Sequence, residues 1–447
     1  MKISIIGCGY VGIVTGVCLA DSGHKIFFFD ENKKKLKNFK IRNNIIFEKN
    51  LKKKLISAKK NIFFCKNLDD AVNKSDVTFV CVGTPLKKNN IELKYIKSVT
   101  TQISEKIKQK KKYSIIYKST IPPLTIEKIC IPILKKNLGN KIDKNINIIF
   151  NPEFLREGNA IYDFENPNSI VLVIRNFKSK IILNKIYKKY KKKSKLIFVN
   201  IKTAEFIKYF SNSFFSLLIS FSNEISNLCH KIGIDYIDVL NALKMDSRII
   251  SNNKVPELIN YMMPGIGYGG SCFPKDIKTF IAFASNNNFN LSILKNVDKI
   301  NSTQPKVISD IILSKFKRMQ IKNCLVLGIT FKENTDDIRN STSIDVINFM
   351  AKSKIKIFIY DPIFSKKKFL ENKKLFDNKV TYLSKINFNK KFSSIVINNK
   401  SSEFKKIIRY YDKKFSSLIF DSRRAFSNQK LNNYFGSGLN LQLKTDL

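Results

Sequence analysis

The sequence predicts an α/β protein made of two doubly wound domains joined by a central all-helical segment with a long spine helix. Three observations carry this expectation. Short apolar runs alternate with lysine-rich helical stretches through residues 1–200, the rhythm of a parallel sheet with crossover helices. From Thr203 to Ile232 the periodicity is helical, with no proline to break it. Beyond about residue 320 the first rhythm returns. The expected domains are therefore 1–200, 201–318 and 319–447.

Each element follows from local pattern. "KISIIG" (2–7) reads as a buried strand, and "VGIVTGVCLADSG" (11–23) as a helix closed by Gly23. "KIFFFD" (25–30), "NIFFC" (61–65), "VTFVCVGTP" (77–85), "YSIIYKST" (113–120) and "INIIFNPEF" (146–154) read as further strands. The middle segment continues from the spine helix through Asp235–Lys244, Pro274–Asn287 and Asp298–Lys315, all helical. Strands return at "CLVLG" (324–328), "KIFIYDP" (356–362), "SSIVIN" (393–398) and "SLIFDS" (417–422), with a helix near Ser341–Ser353. The polar tail after Asn428 is expected to be loosely held.

Composition narrows the function. At 43% hydrophobic and 12% aromatic residues the chain can build real cores, and no leader or membrane-spanning run is read in it. Eight scattered cysteines without C-x-x-C spacing, and two histidines, argue against a zinc site or a disulfide scaffold and fit a reducing cytoplasm. Acid–base chemistry must then fall to Lys, Asp, Glu, Cys or water. The net charge of +46 invites a nucleic-acid reading, but the lysines are spread along the chain rather than clustered. No specific nucleic-acid partner is expected; such a field instead speeds encounter with anionic small ligands.

The motifs carry the chemistry. "GCGYVG" is Gly7-x-Gly9-x-x-Gly12, set between a strand and a helix, with Asp30 at the end of the next strand. In that context it is a Rossmann-like dinucleotide fingerprint: tight turn, close approach to a pyrophosphate, helix packed on strand. Asp30 would accept from the ribose hydroxyls, favouring NAD over NADP. "CVGTP" and "KST" end two more strands of the same sheet, where ligands bind, although Thr84, Ser119 and Thr120 could equally be ordinary turn hydroxyls. "NPEFLREG" (151–158) would place Glu153 and Glu157 on one face if helical; the alternative is a capped helix start. Lys208 and Asn212 stand one turn apart on the spine helix, either a functional pair or part of a solvated face.

"PGIGYGGSCFPKD" (264–276) sets Cys272 after four glycines, with Pro274 suited to the first turn of a following helix. A thiol at a helix N-terminus is activated. A buried structural cysteine is the alternative, but it explains neither the glycines nor Lys275 and Asp276. NAD with an activated cysteine suggests oxidation at the aldehyde level: thiohemiacetal, hydride loss, thioester, hydrolysis. Basic residues in "FKENTDDIR" and "DSRR" suit a second, phosphate-bearing ligand.

These motifs, in this order from residue 1 to about 425, resemble the nucleotide-sugar dehydrogenases. The resemblance implies a two-step, four-electron oxidation of a sugar C6 alcohol to a carboxylate with NAD, on UDP-glucose to UDP-glucuronate. GDP-mannose and UDP-N-acetylhexosamines are the alternative substrates, and a non-catalytic NAD and sugar-nucleotide binder the alternative of another class. It implies Cys272 as nucleophile, Lys208 and Asn212 as oxyanion donors, Asp276 and Thr120 as groups that position or activate water, and Glu157 and Glu153 in acid–base steps. Gly7, Gly9, Val11, Gly12, Asp30, Lys35, Thr84, Thr120, Glu157, Lys275 and Arg339 would face NAD. The sugar nucleotide would be held by Glu153, Phe154, Leu155, Arg156, Glu157, Lys208 and Asn212, by the loop Tyr261, Met262, Met263, Pro264 and Gly265, and by Gly269, Lys332 and Arg423. No metal is implied. A homodimer or higher homo-oligomer through the spine helix is implied, with Arg248 reaching a neighbour's substrate, in the cytoplasm and away from membranes. The sequence departs from the family pattern at "IPPLT", where Leu124 replaces a glycine, and at "FEKNL", which loses the proline and glycine of "EPGL". It has no tryptophan, and 23 residues separate Arg248 from Cys272, a longer connection than the commonest one.

Overall fold

A computed structural model describes residues 1–41, 46–87, 90–167, 169–173, 177–190, 195–250 and 254–439. The chain divides into two compact units, residues 1–211 with 278–289, and 212–277 with 290–447. The boundary falls inside the spine helix Ile201–Ile232, and again inside the helix Phe273–Ser285.

In the first unit β1 (Lys2–Ile6), β2 (Lys25–Phe29), β3 (Ile62–Phe64) and β4 (Val77–Val80) belong to one sheet. A short antiparallel hairpin, β5 (Leu86–Lys87) and β6 (Asn90–Ile91), follows, and β7 (Tyr113–Tyr117) and β8 (Ile146–Phe150) complete the sheet. Its order is β3-β2-β1-β4-β7-β8, all parallel. Chain order reverses between β1 and β4, so their carboxyl ends flank the crevice where such sheets bind ligands. Both faces are covered, which is why β4, β7 and β8 are buried along their whole length and mostly apolar. The one polar side chain in each is hydrogen-bonded inside the core, Thr78 to the Tyr113 hydroxyl and Asn147 to Ser114. The helix Tyr10–Asp21 is buried at every position from Gly12 to Ala20, and Gly16 lets it press against the Phe28 ring. A separate parallel pair, β9 (Ser169–Val173) with β10 (Lys195–Val199), was not foreseen from the sequence.

The second unit repeats the plan. β11 (Asn323–Leu327), β12 (Lys356–Tyr360), β13 (Val380–Tyr382), β14 (Ser394–Ile397), β15 (Leu418–Asp421) and β16 (Tyr434–Gly436) form a parallel sheet ordered β13-β12-β11-β14-β15-β16. β16 corrects the expectation of a loose tail after Asn428. Three residues are too few to show a period, yet Tyr434 packs its ring into the core and its hydroxyl donates to Asp421 at 3.0 Å. Residues 440–447 lie outside those described.

The helical segment comprises Ile201–Ile232, Tyr236–Met245, Phe273–Ser285 and Ser292–Arg318. The last carries Pro305 in its interior. Among the described residues no helix is long and apolar enough to cross a membrane, and no cluster of three or more metal-ligating side chains is found.

The two departures from the family pattern are accommodated differently. Asn50, where the glycine of "EPGL" would stand, takes φ +66°, a conformation asparagine tolerates. Leu124 takes φ +70°, which costs a non-glycine residue about 1–2 kcal/mol. The strained turn is held by Glu205 on the spine helix, whose carboxyl oxygens accept from the Leu124 and Ile126 N–H groups at 2.7 and 3.0 Å.

Candidate active site

In the first unit the glycine turn has the geometry a dinucleotide needs. Gly7 sits at φ +101°, and a Cβ there would lie 2.6 Å from the Cys81 carbonyl oxygen. At Gly12 a Cβ would lie 1.9 Å from the Gly7 carbonyl oxygen, so helix and strand meet only through glycine. Gly9 caps the helix Tyr10–Asp21 and leaves its N-terminus open to an anion. Asp30, just past β2, accepts from the Cys8 N–H at 2.7 Å and the Asn32 N–H at 2.9 Å, and Lys35 Nζ lies 3.2 Å from it. Val11 is half-buried beside this turn. These residues fit a bound NAD: a cradle only glycine can line, a helix N-terminus for the pyrophosphate, and an acceptor at the ribose position.

The loops after β4 and β7 are tied together. Ser119 Oγ donates to the Val82 carbonyl at 2.7 Å, which ties the "CVGTP" loop of Thr84 to the "KST" turn of Thr120. Lys118, not singled out from the sequence, is buried and donates to Asn151 Oδ1 at 2.9 Å. Burial lowers its pKa to about 8, against the pull of Cys81 and Glu153. A lysine directly after the strand-like run "YSIIY" was the available signal.

The segment after β8 corrects an expectation. Residues 151–156 are not helical, so Glu153 and Glu157 do not share a helix face; the next helix begins at Ala160. The Glu153 carboxylate accepts from the Leu155 N–H at 2.7 Å, and this local bond competes with a helical turn. Its other oxygen lies 3.1 Å from Lys208 Nζ, and both side chains are almost fully buried. Burial alone would raise the Glu153 pKa; the Lys208 ammonium and the Leu155 N–H outweigh it and hold the carboxyl below its usual range. Lys208 also lies 5.2 Å from the centre of the Phe154 ring. Glu157 and Leu155 are half-buried, and Arg156 holds Asp163 in a bidentate pair at 3.0 and 2.7 Å. Glu48, also missed from the sequence, bonds the Tyr10 hydroxyl and accepts from the Gly158 N–H at 2.9 Å, linking the glycine turn to the end of "NPEFLREG".

In the second unit Asn212 is buried rather than solvated. Its Nδ2 donates to Asp276 Oδ2 at 2.5 Å, and Lys275 Nζ lies 2.5 Å from Asp276 Oδ1. Asp276 is 1% exposed. Its N–H donates to the Cys272 carbonyl at 2.8 Å, so Cys272 opens the helix one turn below it. Cys272 is exposed, whereas the other seven cysteines are buried. The segment before it is pinned to the stretch 331–340. The Gly270 N–H donates to the Arg339 carbonyl at 2.9 Å, and a Cβ at Gly269 would lie 2.2 Å from the Asn340 carbonyl oxygen.

Arg423 lies against the same loop: its Nε donates to the Asn398 carbonyl at 2.7 Å, and its side chain packs on Gly265. Burial lowers its pKa to about 10. Tyr261 stacks on Phe215 with ring centres 4.3 Å apart, Met262 and Pro264 are buried, and Met263 is half-buried. Lys332 Nζ lies 5.8 Å from the Phe331 ring centre, and Arg339 pairs with Asp337 at 2.6 Å. Arg248 stands apart, 86% exposed, beside Asp246.

Known proteins match along the same lines. Models of the UDP-glucose/GDP-mannose dehydrogenase family match as its NAD-binding domain over residues 1–191, its central domain over 202–303 and its UDP-binding domain over 325–428. A UDP-glucose 6-dehydrogenase of Rickettsia prowazekii is 33% identical over 96% of each chain. The structure of a UDP-glucose dehydrogenase from Pyrobaculum islandicum superposes with a TM-score of 0.84 at 26% identity, covering 98% of each chain. A UDP-D-ManNAc dehydrogenase of Pyrococcus horikoshii shares the fold with a TM-score of 0.80 at 22% identity, over 98% of this chain and 99% of that one. With a glycine cradle shaped for a dinucleotide and similarity that runs nearly end to end, the chain belongs to the UDP-glucose/GDP-mannose dehydrogenase family of NAD-dependent oxidoreductases.

Proposed function

We propose that the chain oxidises UDP-glucose to UDP-glucuronate in two steps, with Cys272 as the nucleophile. The observation that carries this is the Cys272 thiol: exposed, at the start of a helix, one turn from the buried Asp276 and its partners Asn212 and Lys275. Gly7, Gly9, Val11, Gly12, Asp30, Lys35, Thr84, Thr120, Glu157, Lys275 and Arg339 would hold NAD, which when bound accepts the hydride of each oxidation. First the C6 alcohol would lose a hydride, with its hydroxyl proton passing to Glu157 or through it to water, and become an aldehyde. The Cys272 thiolate then adds to the aldehyde carbon, and the thiohemiacetal oxyanion is stabilised by Lys208 and Asn212, donors aimed where charge develops. Loss of the second hydride leaves a thioester. Water, oriented by Asp276 and Thr120 with Glu153 and Glu157 taking up protons, cleaves the C–S bond, releasing the carboxylate and returning the thiol.

The loop Tyr261–Gly265, with Gly269, Lys332 and Arg423, would hold the nucleotide sugar, and the segment 153–157 its sugar end. We divide the chain functionally into NAD-binding (1–200), central (201–318) and sugar-nucleotide-binding (319–447) parts. A homodimer fits the spine helix, which carries Phe206, Phe210, Phe214, Phe221, Leu228 and Ile232 on its exposed surface, each at least 39% accessible. In such a dimer Arg248 would reach the neighbouring copy's substrate. A cytoplasmic location fits a chain in which seven of the eight cysteines are buried as thiols.

The test is NADH formation with UDP-glucose, GDP-mannose and UDP-N-acetylhexosamines in parallel, counted to completion. Two NADH per UDP-glucose, and none from the others, is the expected result. Two NADH from another sugar nucleotide keeps the thioester route and changes the substrate. NAD binding without turnover of any of them leaves a binding protein.

A further inference from the structure

The loop that leads to Cys272 presents a physical problem. Residues 264–270 are all buried, yet five of the seven are glycine or proline, and none lies in a helix or strand. Buried backbone polar groups need partners, and a glycine-rich segment has no ladder of its own to supply them. Side-chain amides supply them here. Asn301 Oδ1 accepts from the Tyr268 N–H at 2.7 Å while its Nδ2 donates to the Tyr268 carbonyl at 3.0 Å. One amide thus closes both bonds on one residue, as a neighbouring strand would. Gln304 Nε2 donates to the Gly265 carbonyl at 2.8 Å, and Asn223 Oδ1 accepts from the Gly265 N–H at 2.7 Å. Asn227 Nδ2 donates to Gln304 Oε1 at 2.8 Å, which sets the end of the Gln304 amide that faces the loop.

The clamp is built into its helix. Along Ser292–Arg318 the buried series runs Leu294, Val297, Asn301, Gln304, Ile308, Ile312, so two amides occupy positions that packing would give to apolar side chains. Pro305 follows directly. Its missing N–H removes the helical donor for the Asn301 carbonyl, and the ladder is interrupted where both amides leave for the loop. Gly267, at φ +98°, presses so close that a Cβ would lie 2.8 Å from Asn301 Oδ1.

We propose that Asn301 and Gln304, with Asn223, are positioning residues for the nucleotide-sugar loop: they hold its buried backbone in one conformation, preorder it for the sugar nucleotide and deliver Cys272 to its helix start. This rests on the function proposed above for Cys272 and the loop. The amides bond the loop's backbone at Gly265 and Tyr268, so they act on the thiol through the loop. Preordering acts on substrate binding and on the thiol's setting, while the glycine cradle and Asp30 lie in the other unit, and of the residues proposed to hold NAD only Lys275 and Arg339 share the loop's unit.

The experiment uses the full chain with Asn301→Ala and, because that variant leaves a gap beside the Tyr268 peptide, the near-isosteric Gln304→Met. Two readouts are taken: KM for each substrate, and the rate of Cys272 alkylation by iodoacetamide, followed by mass spectrometry without substrate. For both folded variants KM for the nucleotide sugar should rise about tenfold and kcat/KM fall up to about a hundredfold, the scale expected of a misplaced reacting group, with KM for NAD within about twofold. Alkylation should slow by about threefold or more as the thiol leaves its place at the helix start. Variants that melt earlier but keep both the wild-type KM for the sugar nucleotide and the wild-type alkylation rate would overturn the proposal. If the wild type oxidises no nucleotide sugar, the functional reading fails, while slowed alkylation still supports the clamp and unchanged alkylation still overturns it.

Discussion

The Lys208 ammonium lies 3.1 Å from the Glu153 carboxylate, with the two side chains 5% and 6% exposed. Removing one partner leaves a buried charge without its counter-ion, so Glu153→Gln should cost about 3–5 kcal/mol at pH 7. The double variant Glu153→Gln/Lys208→Met should recover part of that loss. Because the folded state holds the Glu153 pKa down, its contribution is present above the usual carboxylate range and is lost as pH falls through the folded pKa. Urea midpoints of the three proteins between pH 3 and pH 7 check both statements, the pH range following the ordinary carboxylate pKa of about 4.

Cys272 is exposed and contributes little packing. Cys272→Ala should therefore leave the unfolding free energy from urea denaturation within about 0.5 kcal/mol of wild type and abolish NADH formation. Iodoacetamide should label one thiol per native chain, the other seven being buried, and activity should disappear in step with that label.

Asp276 receives Asn212 and Lys275, both at 2.5 Å, while almost wholly buried. Asp276→Asn keeps the shape but removes the charge that could orient or accept a proton from water. NADH formation should fall by about 10²–10⁴, with most of the loss in kcat rather than in KM for the sugar nucleotide. Steady-state kinetics with both substrates varied separate the two. A loss confined to KM would mean that Asp276 serves binding alone.

Glu205 is buried beneath the strained turn at Leu124, and burial pushes its pKa up to about 8 despite the two backbone N–H groups it accepts. A carboxyl whose pKa is raised on folding contributes most below its unfolded value. Stability should therefore fall as pH rises from about 4 to about 8, and Glu205→Gln should flatten that slope. Glu205→Ala, which leaves both N–H groups without an acceptor, should cost about 2–4 kcal/mol. Chemical denaturation across that pH range distinguishes the three.

Much of the fold was legible because its signals are local. Buried parallel strands write themselves as short apolar runs, glycine is needed where the turn after β1 meets the helix Tyr10–Asp21, and a proline-free helical period marks the spine. By itself the sequence determined two α/β sheets around a helical middle, the dinucleotide turn with Asp30, and an unusual thiol at a helix start. It could not distinguish a helical from an extended path for residues 151–156, because that choice turned on the Glu153 carboxylate bonding its own backbone. Nor could it find β16, three residues whose place is set by the neighbouring strand. The tertiary structure alone decided which polar side chains left water. Lys208, Asn212, Lys118, Asn301 and Gln304 resemble any other polar residue of a helix or turn until a partner from elsewhere in the chain meets them. Periodicity records which face is apolar, whereas a buried ion or amide depends on groups brought near by folding, and that complementarity is not written in the order of the residues.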